Sequence, residues 1–296
     1  MVKSSLPRIL SLAVGRINIL VDTTLASLLV AGSITILNLA QNVASLPLGI
    51  IGVSVAVASF PFISELVSEQ KHQDLGIYVN RKIERMLYLL IPMTLVTILL
   101  RTEIVRLLFG SGRFNWTDTI TTADALGFFA LSFISESIQP IITRTFYAYK
   151  NTRDPLLISV YSIIINIIGS LIFIFLFHGQ VIALGLSFSI ASILELALQV
   201  YRLDKKHQLP LWKYTNWRFI GTTLAASITM TIVAQASKVA SGLIFDPLDN
   251  ILKVAGKISI VLIFAAATYL ISQYLFGNHL TKVLDITNQT KQKEKR

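Results

Sequence analysis

The fold class of this chain is decided by one stretch, residues Ser33 to Leu66, which reads SITILNLAQNVASLPLGIIGVSVAVASFPFISEL. It has no ionisable side chain before Glu65. It is also longer than the roughly 20 apolar residues with which an α-helix crosses a bilayer. Pro47 and Gly49 interrupt it, and interrupted membrane helices often line the sites of transporters. The stretch therefore predicts a broken membrane-spanning helix.

The composition of the whole chain predicts the same class. Of its 296 residues, 53% are hydrophobic and 14% are charged, and the mean hydropathy is +0.67, whereas an average soluble domain is about 25% charged. The absence of cysteine excludes disulfides, thiolate nucleophiles and cysteine metal sites. A net charge of +10 in so apolar a chain indicates loops that face anionic lipid. We therefore do not expect nucleic acid as a partner.

Eight segments are apolar and long enough to span a membrane. They predict an all-α fold, a polytopic membrane helix bundle with about eight transmembrane helices. The predicted spans are Arg8–Ala31, Ser33–Leu66, Arg85–Leu100, Thr121–Tyr147, Pro155–Phe177, Val181–Leu203, Phe219–Ala240 and Ile251–Phe276. Most of the 26 lysine and arginine side chains then fall on the side that holds both termini. By the positive-inside rule, both termini are predicted to be cytoplasmic.

Motifs of soluble enzymes are not found in the sequence. The four histidines do not have the spacing of metal ligands. GSGRF, residues 110–114, lacks the lysine of a phosphate-binding loop. There is neither a nucleophile elbow nor a paired-carboxylate motif. We therefore expect no catalytic residue, no metal site and no enzymatic activity.

Polar side chains inside the predicted spans are the remaining functional candidates, because charge within a bilayer is costly and usually faces a cavity or a partner. Arg16 and Asp22 are six positions apart, roughly 240° around a helix, so they do not form an intrahelical pair. Arg16 is able to extend to the interface. Asp22 is too short for that, so it needs water, a cation or a partner on another helix. The other polar residues at depth are Gln41, Asn42, Glu136, Gln139, Asn166, Glu195 and Gln199.

Each of these side chains alone is more often a helix–helix hydrogen bond than a ligand. Taken together, polar groups in five of the first six predicted spans indicate a wet cavity within the bundle.

Three motifs, in this order, resemble one known family: LNLAQNVASLPLGIIGVSVAVASFPFIS (37–64), LLFGSGRFNWTDT (107–119) and RTFYAYKNTRDP (144–155). They are similar to segments of the MurJ/MviN lipid II flippases, within the multidrug/oligosaccharidyl-lipid/polysaccharide exporter superfamily. LAVGRINILVDTTLAS (12–27) resembles the seventh helix of that family. The resemblance covers about Leu6 to Leu203 well and the last two spans by pattern.

Members of that family have two six-helix lobes followed by two extra helices that form a groove for lipid tails. The resemblance implies that residues 1–205 are the second six-helix transporter lobe and that residues 206–282 are the two additional helices with an interfacial linker. Residues 283–296 are then a basic cytoplasmic tail. The first lobe would come from a missing N-terminal part or from a second subunit.

The resemblance also implies a function in the bacterial cytoplasmic membrane. This is the translocation of lipid II, the undecaprenyl-pyrophosphate-linked peptidoglycan precursor, by alternating access, with lipid II and membrane lipids as partners. Candidate substrate-binding residues are Arg16, Gln41, Asn42, Glu136 and Arg144. Gln41 and Asn42 stand where many relatives carry Asp-Arg, so a cavity cation of the family is absent at that point.

Asp22 and Asn166 are the candidate ion-coupling residues. Oxygen ligands of this kind suit a hard cation such as sodium, so a coupling sodium ion or proton is expected and no other cofactor. Three alternatives remain open. They are a flippase for another polyprenyl-linked saccharide, a non-transporting membrane scaffold of cell-wall synthesis, and a membrane-embedded transferase, for which no catalytic cluster is found.

Overall fold

The computed structural model describes residues 16–110, 114–176, 180–242 and 251–276, and it has helices but no strand in these ranges. Helix α1 covers residues 16–27. The following helices are α2 (Ser33–Pro47), a π-helical segment (Leu48–Val53), α3 (Ser54–Ser68), α4 (His72–Leu99), α5 (Arg101–Phe109), α6 (Trp116–Ala130), α7 (Phe133–Ala148), α8 (Arg153–Phe175), α9 (Gln180–His207), α10 (Leu211–Tyr214), α11 (Trp217–Gly242) and α12 (Ile251–Leu275). The all-α membrane bundle predicted from the sequence is confirmed.

The interruption predicted at Pro47 is a π-helical segment within one long helical rod. Proline has no N–H to donate, and the backbone winds more widely over Leu48–Val53 before α3 continues the rod. Gly52 lies in this segment, and a Cβ placed there would lie 2.8 Å from the carbonyl oxygen of Ser137. The absence of a side chain therefore allows the segment to approach the backbone of α7 closely.

Among the described residues, five helical rods are long and apolar enough to cross a membrane, or seven if each of two bent pairs forms one span. Helices α4 and α5 meet at 76°, and α6 and α7 meet at 43°. Most of the first predicted span, Arg8–Ala31, lies outside the described residues or in the short α1. The count of about eight transmembrane helices therefore stays a prediction.

Two predicted spans differ in detail from the helices. The third was predicted to begin at Arg85, but α4 begins at His72. The first turns of α4 carry charged and polar side chains, so a hydropathy criterion does not detect them as part of a span. The fourth, Thr121–Tyr147, is the bent pair α6 and α7 rather than one straight helix.

The last two long helices pack on each other and against α4. Tyr269 of α12 donates its hydroxyl to the carbonyl oxygen of Tyr88, at 2.6 Å. The short α10 is held on α4 by Asn80, whose amide donates to Tyr214 O at 2.7 Å. These contacts link residues after the predicted boundary at 205 to the lobe before it. The predicted division of the chain stays a prediction, and the tail 283–296 lies outside the described residues.

Candidate functional site: a polar cavity between six helices

A cavity of about 400 Å³ lies inside the bundle. Six helices contribute to its wall, α1, α2, α6, α7, α8 and α9. One lining residue from each, in that order, is Asn18, Gln41, Phe129, Glu136, Asn166 and Glu195. The wall thus combines carboxylates, amides, serine hydroxyls and apolar side chains inside the helix bundle.

The first polar group of the site joins α1 to α8. Asn166 donates from Nδ2 to Asn18 Oδ1 at 2.8 Å and to Asp22 Oδ1 at 3.0 Å. Asp22 and Asn166 are each 1% exposed. Asp22 Oδ2 and Asn166 Oδ1 are buried without a hydrogen-bond partner. Since buried polar atoms are rarely left unpaired, these two oxygens are free to accept a ligand.

The second polar group joins α7 to α9 around Ser192. The hydroxyl of Ser192 donates to Glu136 Oε1 at 2.7 Å, and it accepts from Gln139 Nε2 at 3.1 Å. Ser192 Oγ also lies 2.8 Å from Ser135 Oγ. These bonds fix the Glu136 carboxyl group in the wall of the cavity.

The third polar group joins α8 to α9 around Glu195. Ser159 donates to Glu195 Oε1 at 2.6 Å, and Gln199 donates to the same oxygen at 3.2 Å. Thr143 of α7 extends this group, since its hydroxyl donates to Gln199 Oε1 at 3.4 Å. The wall therefore holds a second carboxyl group with its own set of hydrogen-bond donors.

The structure brings some of the predicted site residues together and leaves others apart. Gln41, Glu136 and Asn166 line the cavity, and Asp22 lies directly behind Asn166. The other three are not among the lining residues: Arg16 and Asn42 are exposed and Arg144 is half-buried. No lysine or arginine lines the cavity within the described part of the chain. The functional roles of all seven residues stay predictions.

Several cavity residues were not predicted as site residues, notably Ser159, Ser162 and Ser192. A signal for them exists in the sequence. Ser159, Ser162 and Asn166 follow the i, i+3, i+7 spacing of one helix face, and Ser192, Glu195 and Gln199 repeat it on α9. Polar residues at this spacing in apolar helices mark the face that turns away from lipid.

Comparison with known proteins gives a family and a fold. Residues 1–247 match the family model described as "Lipid II flippase MurJ". A probable lipid II flippase MurJ from Rickettsia prowazekii is 32% identical over 69% of this chain and 39% of its own length. The corresponding protein of Buchnera aphidicola subsp. Schizaphis graminum is 27% identical over 96% of this chain and 54% of its own length. The chain spans about half the length of the curated relatives that it matches.

Solved structures have the same fold. The lipid II flippase MurJ in its inward closed conformation superimposes with a TM-score of 0.72 at 24% identity, over 89% of this chain and 52% of that one. A multidrug/oligosaccharidyl-lipid/polysaccharide superfamily transporter from Pyrococcus furiosus gives a TM-score of 0.60 at 14% identity, over 96% of this chain and 66% of that one.

Proposed function

Since this chain belongs to the lipid II flippase MurJ family, we propose that it works as the C-terminal part of a lipid II flippase. It would move the undecaprenyl-pyrophosphate-linked peptidoglycan precursor across the bacterial cytoplasmic membrane, without covalent chemistry and therefore not as an enzyme. The observation that carries this proposal is the polar cavity between six helices of a membrane bundle. Such a cavity gives a charged headgroup a path that avoids the lipid core.

The second part of the proposal concerns a partner lobe. The chain spans about half of its relatives, and alternating access requires two repeats that rock around a shared site. The other half would be an N-terminal lobe of the same polypeptide or a second subunit. With both termini cytoplasmic, the positively charged loops would face anionic lipid on the inner side.

Arg16 is the proposed contact for the pyrophosphate. Guanidinium groups bind phosphate oxygens through paired, charge-assisted hydrogen bonds. The exposed position of Arg16 on α1 leaves its side chain accessible from a partner lobe. Gln41, Asn42, Glu136 and Arg144 would complete the surface over which the headgroup moves.

Asp22 is the proposed site of the coupling ion. Its Oδ2 and the Oδ1 of Asn166 are buried and without partners, and the Asn166 amide holds Asp22 Oδ1 at 3.0 Å. One carboxylate with neutral oxygen co-ligands suits a sodium ion. The same oxygens would accept a proton. Either ion would couple the transport cycle to its gradient.

Two substitutions test the proposed function. In vesicles that contain the chain and its partner lobe, Arg16→Ala and Asp22→Asn should each lower the rate of lipid II flipping by about tenfold or more, because each removes a charge-assisted contact. Arg81→Ala and Asp74→Asn remove the same charges at exposed positions of α4 and should leave the rate unchanged.

Membrane insertion, measured by protease protection, should be equal in all four variants. Full activity of both Arg16→Ala and Asp22→Asn would contradict the assigned roles. Competition with another polyprenyl-linked saccharide distinguishes the related flippase function. In this assay each unlabelled lipid competes with a labelled lipid for transport. If the other saccharide lipid competes and lipid II does not, the assignment of lipid II as the substrate is wrong.

A further inference from the structure

We propose that the cavity of this chain binds a primary ammonium group through Glu136 and Glu195, and that this group belongs to the peptide part of the transported lipid. The assignment to the transported lipid rests on the proposed function. The ammonium site itself rests on the wall of the cavity. This site differs from that of the pyrophosphate, which needs cations, and from that of the coupling ion at Asp22.

The carboxyl groups of the cavity wall favour a positive ligand. Glu136 and Glu195 both line the cavity, whereas no lysine or arginine does among the residues that the structure describes. A carboxylate at membrane depth without a countercharge is costly. The hydrogen bonds from Ser192, Ser159 and Gln199 all end on an Oε1 oxygen. A carboxylate has about four acceptor positions, so each keeps capacity for a further donor.

The aromatic side chains of the wall favour an organic cation over a bare metal ion. Phe129 and Phe188 both line the cavity, and their ring centroids lie 5.4 Å apart. Aromatic faces attract ammonium groups within about 6 Å. The cavity of about 400 Å³ is far larger than one ion needs, and it falls within the roughly 300–1,000 Å³ of small-molecule pockets. An aminoalkyl side chain fits this mixture of carboxylate, aromatic and aliphatic surface.

The type of acceptor in the wall also suits this ligand. An ammonium group carries three donors and no acceptor. An ionised carboxyl group offers acceptor oxygens only, so Glu136 and Glu195 match an ammonium group in type.

The first experiment tests the site without the lipid. The chain in phosphatidylcholine nanodiscs is treated with dicyclohexylcarbodiimide, which modifies membrane carboxyl groups, and labelling of Glu136 and Glu195 is measured by mass spectrometry. Hexylammonium chloride should protect both residues, and sodium chloride at the same concentration should not. Equal protection by sodium, or no protection by hexylammonium, would overturn the ammonium site.

Variants then assign the residues. In Glu136→Gln, the hexylammonium concentration that protects Glu195 should rise about tenfold or more, because one charge-assisted contact is lost. The amide can still accept from Ser192, so the fold is kept. Glu65→Gln removes a carboxylate at an exposed position of α3 and should leave the protection unchanged. If Glu136→Gln leaves the protecting concentration of hexylammonium unchanged, Glu136 and Glu195 do not bind the same ammonium group.

The second experiment identifies the source of the ammonium group. Lipid II with a free side-chain amine should protect both glutamates, and the same lipid after N-acetylation should not. Nanodiscs that contain phosphatidylethanolamine test the headgroup as a competing source, and protection by that lipid alone would overturn the assignment to the transported molecule. If acetylated and free lipid II bind and protect equally, the ammonium inference fails while the flippase proposal stands. If neither form of lipid II binds but hexylammonium protects both glutamates, the ammonium site stands and the flippase proposal fails.

Discussion

Two lysines on the last two helices converge on one buried glutamate, and this arrangement gives a quantitative prediction. Lys238 of α11 lies 3.0 Å from Glu103 Oε2, and Lys257 of α12 lies 3.4 Å from Glu103 Oε1. Lys238 also donates to the carbonyl oxygen of Leu99 at 2.7 Å. That carbonyl belongs to the last turn of α4, where the chain bends by 76° into α5. Lys238 therefore contacts both the C-terminal end of α4 and the carboxylate of Glu103.

The expected costs follow from these contacts. Lys238→Met removes two charge-assisted contacts, so it should lower the free energy of unfolding by about 2–3 kcal/mol. Lys257→Met removes one longer contact and should cost about 1 kcal/mol. Removing both lysines takes away the two countercharges that contact Glu103, which is 9% exposed, and a broken buried pair costs about 3–5 kcal/mol. Glu103→Gln in that double variant should restore about 1–2 kcal/mol.

The assay is reversible unfolding in mixed micelles, with helix content measured by circular dichroism as sodium dodecyl sulfate is added. Equal losses for the two single variants would refute the assignment of the second contact to Lys238. Further destabilisation by Glu103→Gln in the double variant would refute the view that an unpaired charge is the source of the cost.

Two other substitutions test individual helix contacts in the same titration. Tyr269→Phe removes only the hydroxyl, which donates to Tyr88 O at 2.6 Å and accepts from Gln273 Nε2 at 2.9 Å, and we expect a loss of about 1–2 kcal/mol; an unchanged midpoint would show that these two bonds add nothing. Gly52→Ala places a methyl group 2.8 Å from Ser137 O, so a loss of about 1–3 kcal/mol is expected from overpacking. Gly49→Ala is its matched control, because a Cβ there meets nothing within 4 Å, and it should not be destabilising.

The long spans could be predicted from the sequence because hydropathy averages over about 20 residues. The bends could not. The two bends lie at Leu100 and at Leu131 and Ser132. None of these residues is the proline or glycine that usually marks a kink. At Leu100 the bend is instead accompanied by the contact of Lys238 with Leu99 O, which comes from a helix far along the chain. A bend stabilised by tertiary contacts has no local signature.

The candidate site shows the same limit. The short side chain of Asp22 at its predicted membrane depth indicated a need for water, a cation or a partner on another helix, and the structure places Asn166 of α8 beside it. The bond between Ser192 and Glu136 could not be predicted, because it depends on the relative height of α7 and α9. Spacing along one helix shows which residues share a face, but it does not give the register between two helices.

Helix α1 has two chemically different faces, and this bears on how a lipid with both charges could be held. Arg16 is exposed, while Asp22 is buried against α8, as the rotation of roughly 240° between them requires. Under the two proposals above, the pyrophosphate would meet cations at an exposed face, and the ammonium group would meet Glu136 and Glu195 within the cavity. The cationic face would repel the ammonium group, and the two glutamates would repel the pyrophosphate. The charges would therefore orient the headgroup as well as bind it.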